Sequence, residues 1–146
     1  MRAVLQRVLD ASVQVDGQEV SSIGKGILLF LGVSQGDGET QVEAMARKVA
    51  GLRLFEDAQG KMNLSCEEVG GEHLVVSQFT LLADLTKGKR PGFDQAMKPP
   101  ESERLYLKFC ERLAQLIGRP VQKGRFGASM TVRLRNDGPA TFILEM

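Results

Sequence analysis

The sequence predicts a mixed α/β domain dominated by antiparallel sheet, with two helices inserted among the strands. Three observations carry that reading. Short apolar segments bounded by turn residues recur along most of the chain, which is the pattern of strands in hairpins. Only two stretches, beginning near 40 and near 101, repeat their apolar residues at three- and four-residue steps. At 146 residues, with 42% hydrophobic and 25% charged residues, the chain holds enough apolar material for one ordinary core. It has no repeat, linker or low-complexity tract and reads as a single domain over 1–146.

Each element has its own signal. Val4–Val15 carries alternating apolar positions, clearest at Ala11, Val13 and Val15, and runs into Asp16-Gly17, a tight-turn dipeptide leading to a strand at Gln18–Ile23. Gly26–Val33 is an unbroken apolar run, as expected of a strand buried on both faces. Thr40 and Glu43 stand in capping-box spacing ahead of a helix whose face is Val42, Met45, Ala46, Val49 and Leu52. Leu52–Phe55 and Met62–Ser65, around the turn EDAQGK, form a second hairpin, and His73–Leu82 a further strand. Leu85–Pro100 has no clean period and three prolines, so it reads as a long loop. The second helix starts near Glu101, shows the stripe Leu105, Phe109, Leu113, Leu116 and Ile117, and stops at Gly118 and Pro120. Two strands, Thr131–Arg135 and Thr141–Leu144, flank a hairpin turn at Asn136–Pro139.

Composition excludes several function classes. Nineteen Lys and Arg against eighteen Asp and Glu leave a net charge of +1, which rules out a strongly cationic nucleic-acid coat but not a local basic patch. Two cysteines, Cys66 and Cys110, make no disulfide framework, and the single histidine, His73, makes no histidine-cluster metal site. No secretory signal or membrane-length apolar run is present, so the expected setting is the cytoplasm. His73 reads as a turn or strand-end histidine and Cys110 as a core thiol. Cys66 precedes two acids that raise its pKa and disfavour a reactive thiolate. Sequence signatures of nucleophile elbows, phosphate loops and zinc hydrolases are missing.

Four segments are chemically odd for where they lie. Ser77-Gln78-Phe79-Thr80 puts three polar side chains into an apolar strand, with Ser77 and Phe79 on one face and Gln78 and Thr80 on the other. Gly124–Met130 sets small residues around Phe126 and Met130. Asn136–Thr141 contains a Gly-Pro bond, which tolerates cis geometry. The loop Thr86–Lys98 brings Lys87, Lys89, Arg90 and Lys98 against one acid, Asp94, and would suit phosphate contacts. Each has a plain structural reading as well: paired strand groups, a glycine turn, a hairpin turn and a solvated charge run.

Taken together, SQFTL at Ser77–Leu81 and NDGP-T at Asn136–Thr141, with RAVLQRV near the start, EDAQGKMN and GRFGA-M between, closely resemble the D-aminoacyl-tRNA deacylase family over the whole chain. The resemblance implies a barrel-like core of mostly antiparallel sheet with two main helices packed on it. It implies a homodimeric cytoplasmic enzyme without cofactor or metal, whose partner is the aminoacylated 3′ end of tRNA and whose site lies at the subunit interface. Gly138 and Pro139, joined by a cis bond, would reach into the other subunit's pocket and screen out L-amino acids. Ser77, Gln78, Phe79 and Thr80 would line the opposite wall, Phe126 and Met130 would hold the terminal adenosine with Thr141 close to the substrate, and Arg7 would support the Gly-Pro from behind. The substrate's own ribose 2′-hydroxyl would activate water, with Thr80 as a covalent nucleophile the rival mechanism. Two departures stand out, Ala140 where the family more often has Val and Ser129 where many members have Asp. Outside this reading stand a non-catalytic RNA-end-binding module, an editing domain for L-amino acids, and a purely structural dimer.

Overall fold

The computed structural model describes residues 1–86 and 88–146; Lys87 of the basic loop lies outside the described residues. Strand β1 (Arg2–Val15) turns through Asp16 and Gly17 into β2 (Gln18–Ile23). Both turn residues take positive φ, 52° and 78°, which Asp tolerates and Gly adopts without steric cost. β3 (Gly26–Gly32) lies antiparallel to the first half of β1, and β2 to its second half. Helix α1 (Glu39–Ala50) follows, then a small antiparallel pair, β4 (Phe55–Glu56) and β5 (Met62–Leu64). β6 (Glu72–Ser77) pairs parallel with β3, and after helix α2 (Glu101–Ile117) the two-residue β7 (Gln122–Lys123) pairs parallel with β6. β8 (Thr131–Glu145) runs antiparallel along nearly all of β1. The result is a mixed, nearly closed, barrel-like sheet carrying two helices.

Two apolar cores lie on opposite faces of this sheet. Ile27, Leu29 and Leu31 of β3 face α1 and α2, whose buried stripes are Val42, Met45, Ala46 and Val49 and Leu105, Phe109 and Leu113. Leu28 of β3 points the other way, to meet Val8, Ala11, Val13, Ile23, Leu74 and Val76. This is why the Gly26–Val33 run is apolar at every position: both of its faces are covered.

The two long strands serve both cores in turn, and a change of register lets them. In β1, Ala3 and Leu5 point to the helix core, whereas Ala11 and Val13, of the same parity, point to the other. The pairing with β8 explains the switch: Leu9 is an extra residue in β1 between the Val8–Asn136 and Asp10–Arg135 pairs. Just before it, Asp137 to Ala140 of β8 stand opposite the single residue Arg7. Asn136–Pro139 is therefore not a hairpin turn between two strands, as the sequence predicts, but a wide bulge inside one continuous strand. Turn-forming residues interrupt the ladder there without reversing the chain.

Three other expectations are corrected. The strand over His73–Leu82 stops at Ser77, and Phe79–Leu82 form a turn of 3-10 helix, so strand alternation does not sort Gln78, Phe79 and Thr80 onto faces. Helix α1 begins two residues before the predicted box: Gly38 is the N-cap, and its N–H donates to the Gln41 side chain (2.9 Å). Glu43 instead binds Arg112 of α2 and Arg47. The β4–β5 hairpin is shorter than predicted, with the Asp57 carboxylate accepting from the N–H groups of Gln59 and Lys61 inside the turn. Helix α2 ends as the sequence says, with Gly118 left-handed at φ 69°.

Candidate functional site

The chain reaches the site along β6. Its apolar residues Leu74, Val75 and Val76 are buried, and at Ser77 the strand gives way to the 3-10 turn. Gln78 anchors this change, its N–H donating to the Leu31 carbonyl (2.8 Å). Phe79 and Thr80 then occupy the first turn, where backbone N–H groups have no intrahelical acceptor. No acceptor meets either amide among the described residues. The Gln78 side-chain amide donates to the Thr80 hydroxyl (2.5 Å).

A cavity of about 540 Å³ opens beside this turn. Ser77, Gln78 and Phe79 line one side, and Phe126 and Met130 another, so five of the residues predicted for the site share one pocket. Phe126 is held by Tyr106 of α2, ring centroids 5.7 Å apart, and Tyr106 donates its hydroxyl to the Val75 carbonyl (2.8 Å). Phe79 is 56% exposed and meets Phe93 edge to face, centroids 5.0 Å apart. Lys98 is the only ionisable side chain among the lining residues. The pocket is thus mostly apolar, with the Ser77 and Ser102 hydroxyls and the Gln78 amide among its lining.

Thr80, Gly138, Pro139, Thr141 and Arg7 do not line this cavity. Gly138 and Pro139 are exposed on the β8 bulge, and their peptide bond is cis. Behind them Arg7 is 5% exposed and fully engaged: Nε donates to the Asp137 carbonyl (3.2 Å) and lies 3.0 Å from its carboxylate, while Nη1 donates to the Leu54 carbonyl (2.7 Å). Asn136 closes the bulge from the other side, its Nδ2 donating to the Arg7 carbonyl (3.2 Å). Thr141 pairs with Gln6, whose side chain donates to the Thr141 hydroxyl (3.2 Å).

The sequence reading singled out Lys98 for phosphate contact but missed the wall that Phe93, Ala96, Met97, Pro99 and Ser102 make with it. The stretch Leu85–Pro100 has no periodicity, but Phe93 and Met97 among its charges were a usable signal. Its second half is tied down: Met97 N–H donates to Val33 (2.9 Å), Gln35 N–H to Gln95 (2.8 Å), and Asp84 and Gly92 exchange two backbone bonds. A second cis bond, Pro99-Pro100, precedes α2.

The remaining candidates fall into place away from the pocket. Cys110 is buried in the helix core, and burial pushes its thiol up to about 12. Cys66 is raised likewise to about 12, by burial first and by the charge of Glu67 second. His73, 1% exposed, is pushed down to about 4 by burial, with Arg119 acting in the same direction. Among the described residues, Cys66, Glu67 and His73 are the one set whose side chains gather like metal ligands, at the end of β6 remote from Ser77.

The sequence also has close relatives. The family model of D-Tyr-tRNA(Tyr) deacylase matches residues 4–145. A D-aminoacyl-tRNA deacylase of Magnetococcus marinus is 55% identical over 146 residues, covering 100% of this chain and 97% of the relative. One of Myxococcus xanthus is 56% identical over 145 residues, covering 99% and 94%. Among solved structures, the c-Myc DNA Unwinding Element Binding Protein superposes with a TM-score of 0.94 at 44% identity, over 100% of this chain and 99% of that one. A probable eukaryotic D-amino acid tRNA deacylase shares the fold at a TM-score of 0.86 and 18% identity, covering 99% and 98%.

Proposed function

Because the chain belongs to the D-Tyr-tRNA(Tyr) deacylase family and is a D-aminoacyl-tRNA deacylase, we propose that its cavity takes the aminoacylated 3′ end of tRNA and that hydrolysis proceeds without a side-chain nucleophile. The observation that carries this is an apolar pocket lined by Phe79, whose backbone amide is unengaged, as is that of Thr80 just beyond the lining, while no acid or base lines the wall except Lys98. An aminoacyl ester is already activated. Its hydrolysis needs a positioned water and donors for the developing oxyanion more than a strong base.

In this reading the terminal adenosine lies between Phe126 and Met130, and the ester carbonyl points to the Phe79 and Thr80 amides. The ribose 2′-hydroxyl of the substrate assists the water. Thr80 as nucleophile is the weaker mechanism, since its hydroxyl is bonded to the Gln78 amide, which cannot take a proton. Lys98, at the pocket, and Lys89 and Arg90, exposed on the adjoining loop, meet the tRNA phosphates. The protein works in the cytoplasm, where its substrate is made; among the described residues no helix is long and apolar enough to cross a membrane.

Selection against L-amino acids belongs to Gly138 and Pro139 of a second copy. Support comes from their exposure, from their place outside their own subunit's cavity, and from exposed Leu9 and Ile143 on the same pair of strands (47% and 67%). Rejection by backbone bulk has nothing to strike when the side chain is hydrogen, so glycyl-tRNA is cleaved as well. One tRNA charged with D-tyrosine, L-tyrosine or glycine, incubated with the protein with and without chelator, tests all of this. Loss of the D and glycyl esters with survival of the L ester, unaffected by chelator, is expected. Survival of all three esters would leave a binding module, and survival of glycyl-tRNA alone beside the L ester would show that rejection does not work by bulk.

A further inference from the structure

At the start of β6, far from the cavity, three polar atoms are buried with no hydrogen-bond partner: Oε1 of Glu67 and both ring nitrogens of His73. His73 is the second residue of an otherwise apolar strand interior, and its Nδ1 lies 3.7 Å from Glu67 Oε1. That is too long for a hydrogen bond, so the two groups do not satisfy one another. The Cys66 thiol stands beside them, in weak contact with the Glu72 carbonyl at 3.6 Å. One ligand atom from each residue, Cys66 Sγ, Glu67 Oε1 and His73 Nδ1, falls within 4.8 Å of the other two.

We propose that Cys66, Glu67 and His73 bind a single divalent transition metal ion of the zinc class, which clips the turn after β5 to the first residues of β6. The donor set suits such an ion: thiolate, imidazole and carboxylate are its three ordinary protein ligands. The spacing suits it too. Ligand atoms at ~2.0–2.3 Å from a tetrahedral centre stand roughly 3.5 Å apart, so the Nδ1–Oε1 separation already fits and the thiol has at most about 1.3 Å to close. Sγ closes that gap by leaving the Glu72 carbonyl, while the turn is kept by the Gly71 and Gly70 N–H bonds to the Cys66 and Glu67 carbonyls (2.7 and 3.0 Å). The ion takes the place of the thiol proton, which passes to solvent, and a water entering from the Glu67 side, one quarter exposed, completes the shell. Thiolate, Glu67 and the neighbouring Glu72 outweigh Arg119, the cation that acts on Cys66 among the described residues, so a divalent ion meets a net negative site. The four residue steps from His73 to Ser77 put the ion about 13 Å along the strand from the pocket, too far to act on an ester there.

Chelator-stripped protein titrated with Co²⁺ under reducing conditions tests the site without any tRNA. One ion per chain, with a thiolate-to-cobalt charge-transfer band that Zn²⁺ displaces, is expected. C66S should lose the band, E67Q and H73Q should weaken binding at least ten-fold, and C110S should leave it unchanged. Zn²⁺ should raise the unfolding temperature of the unaltered protein and not that of C66S. No band in the unaltered protein, or a band that survives C66S, or one indifferent to both E67Q and H73Q, would overturn the proposal. Should C66S fail to fold, E67Q on its partly exposed turn decides alone, together with the paramagnetic shift of the His73 ring signals in the unaltered protein.

Discussion

Arg7 connects the segment after α1 to the bulge of β8. One guanidinium, almost wholly buried, satisfies the Leu54 carbonyl after α1 and holds both the carbonyl and the carboxylate of Asp137 in the β8 bulge. Replacing it by leucine leaves the buried Leu54 carbonyl without a donor and the partly exposed Asp137 carboxylate without its cation, so Arg7→Leu should cost about 1–3 kcal/mol in urea unfolding, with lysine restoring only part. Gly138 is constrained differently. A Cβ there would come 2.5 Å from Asn136 Oδ1, displacing the side chain that closes the bulge on the Arg7 carbonyl. Gly138→Ala should therefore lower D-ester hydrolysis at least ten-fold while circular dichroism stays unchanged; unaltered activity would remove the bulge from the mechanism. At this scale the sequence was readable where chemistry and oddness coincided, as at Ser77–Phe79, Phe126 and Met130. It was not readable for Ser102 or Ala96, whose side chains reach the cavity only because the loop before α2 folds over it.

Elements explain which signals were clear. Periodicity defined both helices because each presents a single stripe to one core. It failed after Ser77, where Phe79, Leu81 and Leu82 continue an apolar pattern although the backbone has turned into a 3-10 helix. It also failed at Asn136–Pro139, since residues that build a turn build a bulge equally well. The helices are joined by charge as well as by packing: Glu43 of α1 binds Arg112 of α2 and Arg47, and these guanidinium groups hold its carboxyl down at about 2. The unfolded chain, with an ordinary Glu, takes up the proton first as pH falls. The stabilisation is therefore whole above about pH 4.5 and disappears as pH drops toward 2. Melting temperatures of Glu43→Gln and the unaltered protein should converge across that interval. Tyr106 ties α2 to β6 through the Val75 carbonyl, and Tyr106→Phe should cost about 1–2 kcal/mol by the same unfolding assay.

For the whole molecule, the proposed site is complete only when two copies meet. Ile143→Glu places a charge on the exposed strand pair proposed to face the partner, so it should yield a folded monomer by sedimentation, with D-ester hydrolysis lost at concentrations where the unaltered protein is active. An active monomer would return Gly138 and Pro139 to a structural part. No single-chain pattern displays such an arrangement, and resemblance to a known family alone led to it. The paired irregularities of β1 and β8 have one more consequence. Leu9 is the residue that turns Ala11 and Val13 back toward the second core, and Asp137–Ala140 is the excursion that Arg7 fills. Deleting one residue on either strand would swing every following side chain to the opposite face. Chain length here is as tightly constrained as chemistry, so variants of this protein can differ at these positions by substitution but not by insertion or deletion.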